Sequence, residues 1–135
     1  MALKHGKAFS VTVNSVDMSS YASSGSMAVS VDTAETTTAG DSAKTFLEGD
    51  YTATHDISGP ADFATSTQDV TMFGLIGGGA TNIVWKPQAA AVATTNPSYT
   101  QSAILTGYTL NFDVGSAVNY SASWQGTGVV TRATS

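Results

Sequence analysis

Apolar and polar residues alternate with a period of two through most of the chain, the pattern of strands with one face on a core and the other in solvent. In AFSVTV, Phe9, Val11 and Val13 face one way while Ser10 and Thr12 face the other. Met27, Val29 and Val31 repeat the pattern against Ala28, Ser30 and Asp32, and Tyr51, Ala53, His55 and Ile57 form a third face. TNIVWKP is a short β-branched run stopped by Pro87, which cannot donate to a central ladder. Ile104, Thr106, Tyr108, Leu110 and Phe112 share one side of a long strand, and Val118, Tyr120, Ala122 and Trp124 return on the last one. The DVGSA between them is short enough for a hairpin with Gly115 in the turn.

One segment departs from this rhythm. Ser66 and Asp69 have the spacing of a capping box. Val70, Phe73 and Ile76 follow at three-residue steps, flanked by Met72 and Leu75, and Gly77 can close the turn in a left-handed conformation. The pattern predicts one short helix over 67–76 whose apolar face covers one sheet. The expected fold is mainly β: a β-sandwich or barrel of about six or seven strands in a single domain over 1–135. One short flanking helix and a long strand-connecting loop complete it. Two loops are expected, over 33–50 and 86–99.

Charged residues make up 11% of the chain, against about a quarter in an average domain. Serine and threonine take their place, 37 of 135 residues. Hydroxyls and small side chains cost less to desolvate than lysines and glutamates, so such a surface suits extensive protein–protein contact. With 41% hydrophobic residues a core is within reach. The net charge of −5 and the five scattered basic residues exclude a phosphate-gripping surface. There are no cysteines, hence neither disulfides nor thiolate metal sites. No apolar run approaches the length of about 18 residues that spans a bilayer, so no membrane role is expected. The N-terminus lacks an uninterrupted apolar stretch, and use without secretion is expected.

The stretch VDTAETTTAGDSAKTFLEGD (31–50) offers two kinds of chemistry, and both fail. Lys44 and Thr45 match the end of a phosphate-binding loop, but Thr38 and Ala43 stand where its glycines are needed. The carboxylates Glu35, Asp41, Glu48 and Asp50 lack the tight spacing of a calcium loop, which favours solvated acids over a metal site. His5 and His55 have no second histidine at ligand spacing, and adjacent His55 and Asp56 point to opposite faces of a strand. No nucleophile has a placed base, so no enzyme, cofactor or metal is expected. Phe46 and Leu47 form an apolar pair inside this polar stretch. Phe46 either tucks back onto its own domain or anchors in a neighbouring subunit.

V-x-V-N-S-V-D-M-S-x-Y at 11–21 resembles the opening of tail tube proteins (major tail proteins) of long-tailed bacteriophages. DTAETTTAGDSAKTFLEG at 32–49, NPSYTQSAILTGY at 96–108 and SASWQGTGVVTR at 121–132 are similar to later segments of that family in order and spacing. Asn14-Ser15 stands where Asn-Gly or Asp-Gly is usual.

The resemblance implies a virion structural protein of the phage tail, assembled in the bacterial host cytoplasm. Its partners would be other copies of itself in stacked, hexameric rings, together with other tail proteins. DNA would pass through the tube without specific binding, which the acidic balance suits. The family's long loop reaches a neighbouring subunit or ring. That makes Glu35, Thr36, Thr37, Thr38, Asp41, Lys44, Phe46 and Leu47 the candidate inter-subunit contacts. A capsid decoration protein and, from another class, a carbohydrate-binding β-sandwich module are the alternatives.

Overall fold

The computed structural model describes residues 3–64 and 67–135. Seven strands form one antiparallel sheet: β1 (Ser10–Val13), β2 (Val16–Asp17), β3 (Ser24–Glu35), β4 (Phe46–Pro60), β5 (Ala80–Lys86), β6 (Ser98–Asn111) and β7 (Asn119–Ala133). Their order is β2-β1-β5-β6-β7-β4-β3. Among the described residues one α-helix, α1 (Gln68–Gly74), lies between β4 and β5. The architecture is mainly β, as expected, but the barrel alternative is corrected: β2 and β3 are the two unpaired edges, and the sheet does not close. It curls instead. Trp85 of β5 packs over Gly25 of β3 and bonds His55 of β4, although neither strand neighbours β5 in the sheet. The two wings therefore face one another across a core of Val11, Val13, Met18, Ile57, Met72, Ile83, Leu105, Tyr120 and Trp124.

The β1–β2 hairpin turns through Asn14 (φ 51°) and Ser15 (φ 65°). Both are left-handed, the backbone of a type I′ turn whose twist matches the flanking strands. The β6–β7 turn contains Gly115 at φ 92°, as its sequence implied.

Alternation in β6 is where periodicity misleads. Gln101, Ala103 and Leu105 are buried, while Ile104 is exposed. The register then shifts between Leu105 and Gly107, where Leu105 faces Trp124 and Gly107 faces Ser123. The extra residue, Thr106, inverts the phase, so Tyr108 and Leu110 pack against the core. The expected stripe is right for those two residues and wrong for Ile104. Phe112 lies beyond the strand and is also exposed.

The helix is shorter than 67–76, and only the flanking Met72–Leu75 side of its apolar face turns inward. Gln68 and Met72 are buried and Leu75 is half-buried, whereas Val70, Phe73 and Ile76 are exposed. Polar bonds set this orientation. Gln68 Nε2 donates to Tyr108 Oη at 2.9 Å, Tyr108 donates on to Asp69 Oδ1 at 2.8 Å, and the Asp62 amide donates to Gln68 Oε1 at 3.2 Å. Asp69 thus serves Tyr108. Ser66, the expected cap, lies outside the described residues. Gly77 is left-handed (φ 72°), but only after a further turn beyond Gly74.

The 86–99 connection is built around one side chain. Asn96, buried, donates through Nδ2 to the carbonyls of Gln88, Ala90 and Ala91 and accepts from the Gln88 amide at 3.0 Å. A side-chain amide that both donates and accepts satisfies the backbone of a segment that has no ladder of its own.

Candidate functional site

The 33–50 stretch expected as a loop is strand at both ends. β3 continues to Glu35 and β4 starts at Phe46, leaving 36–45 as the connection. β4 pairs with β7 only from Thr54 to Pro60. Beyond Thr54 the β3–β4 hairpin runs on without a third strand, and every residue from Ala28 to Thr52 is exposed. This is a two-stranded arm. Hairpins of this kind are marginal alone, so its attachment matters.

Two contacts fix the arm to β7. Tyr51 Oη accepts from the Val130 amide at 3.0 Å, and Gln125 Nε2 donates to Thr52 Oγ1 at 2.9 Å. Beneath them lies a buried polar chain. Trp85 Nε1 donates to His55 Nδ1, His55 Nε2 donates to Gln101 Oε1 at 2.8 Å, and Gln101 Nε2 donates to the Gly128 carbonyl at 2.9 Å. Gly126 makes the chain possible: a Cβ there would collide with the Gln101 side chain and come within 2.6 Å of the Ala53 carbonyl. The sequence placed His55 on a strand but carried no sign of Gln101 or Trp85 as its partners; all three are distant along the chain.

The tip of the arm organises itself. Thr36 N donates to the Thr45 carbonyl at 2.8 Å, the Thr45 amide donates to Thr37 Oγ1 at 2.9 Å, and Thr36 and Thr45 hydroxyls lie 2.9 Å apart. Asp41 Oδ2 accepts from the Thr38 amide at 2.7 Å and from its hydroxyl. The Thr cluster is thus turn chemistry. Lys44 and Glu35 form an exposed pair at 4.0 Å, of little energetic weight.

All eight candidate contact residues fall on this tip and all are exposed. Phe46 does not tuck back onto its own domain; it is 57% exposed and Leu47 64%. They do not act as a pair, because successive strand residues point to opposite faces. The register puts Phe46 opposite Glu35, and Leu47 opposite Ala34. Phe46 therefore shares its face with Glu35 and, two positions along, with Glu48, while Leu47 lies on the other.

Five of the ten carboxylates and one of the five basic residues lie within 32–50, a local net charge of −4. Among the described residues no group of three or more His, Asp or Glu side chains could hold a metal ion. No helix among them is long and apolar enough to cross a membrane. The β3 edge, Ser24–Glu35, carries no Pro and no Lys, and among the described residues no strand pairs with its outer side. Such an edge is a template for another strand.

No protein-family model matches the chain, and no curated protein matches it. Solved structures do. Over 96% of this chain and 98% of the other, the fold is similar to that of a chain in the virion of a native gene transfer agent particle, with a TM-score of 0.79 at 10% identity. The SPP1 tail tube is similar over 98% of this chain and 80% of that one, with a TM-score of 0.77 at 10% identity. A chain of the PVC sheath–tube complex, an extracellular contractile injection system in its extended state, gives 0.72 at 14% identity over 98% and 93%. At such identities the likeness is one of fold: the curled sheet with its flanking helix is shared with those chains.

Proposed function

We propose that this protein is a structural subunit of a phage tail tube, without catalytic activity or cofactor. The whole chain acts as one tube-forming domain. Copies associate into six-membered rings, and the rings stack into a conduit through which DNA leaves the particle. The subunit is made in the host cytoplasm, joins other tail proteins and stays in the virion tail.

The observation that carries this reading is the fold shared with tube chains over nearly the full length. Three features of the chain support it. The exposed arm has apolar residues at its tip and a hydrogen-bonded root, so it reaches outward without a partner of its own. The β3 edge has open backbone groups for a neighbouring strand. The net charge of −5 opposes adhesion to DNA phosphates. Electron micrographs of the purified protein over a range of concentrations test it. Stacked rings or tubes are expected; discrete trimers would point to capsid decoration instead. A DNA titration at moderate salt is expected to show no binding, and a micromolar affinity would contradict the conduit.

A further inference from the structure

We infer that the arm of one copy docks into an aromatic cleft on a second copy, with Phe46 entering the cleft and Glu35 and Glu48 meeting Lys86 and Arg132 at its rim. The inference rests on self-association as proposed above and names the surface that receives the arm.

The cleft, of about 340 Å³, opens between the start of β3 and the adjoining ends of β1, β5 and β6. Phe9, Met27, Trp85 and Tyr99 line it, all half-buried. Phe9 and Trp85 stack with centroids 6.4 Å apart. Gly25 lies beneath the Trp85 ring, where a Cβ would approach Trp85 Cζ3 to 2.7 Å, so glycine is what lets the indole lie against β3.

The rim is basic. Lys86 lines the cleft, with its ammonium donating to the Ala90 carbonyl at 2.9 Å. Arg132 lies opposite Tyr99 in the β6–β7 register, 6.0 Å from that ring's centroid. Lys7 sits two residues before Phe9. The Lys44–Glu35 pair is the sole ion pair among the described residues, so none of these three cations has a carboxylate within ion-pair distance. Lys86 does reach Asp17 through its field, a minor contribution to holding that carboxyl below its usual range after the bonds from Ser19.

The arm supplies the complement. Phe46, exposed, stands between Glu35 across the hairpin and Glu48 two positions along the same strand. An aromatic flanked by two carboxylates matches an aromatic cleft flanked by cations, in apolar character and in charge. The arm cannot fill its own cleft. Met27 lines the cleft and Glu35 ends β3, eight residues on, or about 26 Å of extended strand. The occupant is therefore another copy, and the contact is heterologous, the kind that propagates into rings or filaments.

Charge reversal tests it, read as the concentration giving half-maximal assembly by sedimentation. Glu35→Lys with Glu48→Lys is expected to raise that concentration at least about tenfold, and so is Lys86→Glu with Arg132→Glu. All four changes in one chain are expected to restore it to within about threefold of the original. Phe46→Ser, which removes one exposed side chain and leaves the fold intact, is expected to weaken assembly about as much as either reversal. Reversals or Phe46→Ser that assemble like the parent, or a fourfold variant no better than the doubles, overturn the docking while self-association stands. A parent protein that stays monomeric at every concentration overturns both.

Discussion

The indole of Trp85 donates to Nδ1 of His55 at 3.0 Å, which leaves the proton of the neutral ring on Nε2, where it meets Gln101 Oε1 at 2.8 Å. The two rings lie nearly parallel, 12° apart, inside the curl of the sheet. One fully buried side chain thereby ties β5 to β4 and β6 beneath the root of the arm.

Replacing His55 by Ala strands two polar groups, the half-buried Trp85 N–H and the buried Gln101 carbonyl, and opens a cavity. Each stranded group costs about 1–3 kcal/mol, so a loss of about 3 kcal/mol or more is expected in chemical denaturation. A loss under about 1 kcal/mol would mean that water satisfies both partners.

Ser15 occupies the second central position of the β1–β2 turn at φ 65°, a conformation that costs a non-glycine residue roughly 1 kcal/mol. Ser15→Gly is expected to stabilise the protein by up to about 0.5 kcal/mol, the strain relieved less the chain entropy that glycine adds. Thermal melting of the two proteins side by side checks the sign.

Burial pushes the Tyr108 phenol up to about 12 from an ordinary 10.0; its bonds to Asp69 add to the rise and that from Gln68 opposes it. Tyr120, beside it at 6.2 Å, is raised further, chiefly by burial. A raised folded value means that the folded state holds the proton more tightly. Its stabilisation is complete below pH 10 and is lost as pH rises toward 12 and beyond. Stability is expected to fall steeply with pH above 10, and the fall is expected to be shallower in Tyr108→Phe. Denaturation midpoints across that range measure it; equal slopes would contradict the assignment.

Deleting 34–48 joins Thr33 to Gly49, next to the Thr33–Glu48 pairing, and so leaves a short hairpin in place of the arm. The body's core lies outside that segment. A folded monomer with an unchanged melting temperature is expected, with no tubes in micrographs. Normal tubes from the deletion variant would remove the arm from assembly.

The resemblance at 11–21 and the later segments pointed to the tail-tube fold, and the strands were legible because a strand's period is a local property. Val11 and Val13, Ala53 to Ile57, and Tyr120 to Trp124 each announce a buried face within a few residues. The arm was half legible. Its polarity and the apolar Phe46-Leu47 stood out, but the long Thr-rich stretch reads as irregular when its hydrogen-bonding partners, such as Thr36 with Thr45, are not known. Val29 and Val31 read as a half-buried face, and the structure exposes both because the sheet ends before them.

The sequence by itself determined where the chain extends and turns: alternation, Gly115 in the last hairpin, and Asn14-Ser15 in the first. It also determined what the chain lacks the residues to do, from thiolate chemistry to gripping phosphates. Only the tertiary structure decided which side of β6 and of the helix is buried. One extra residue at Thr106 reverses a strand's phase, and a bond donated to Tyr108 turns Gln68 inward in place of Phe73. Such choices depend on partners tens of residues away, and a local period carries no information about them.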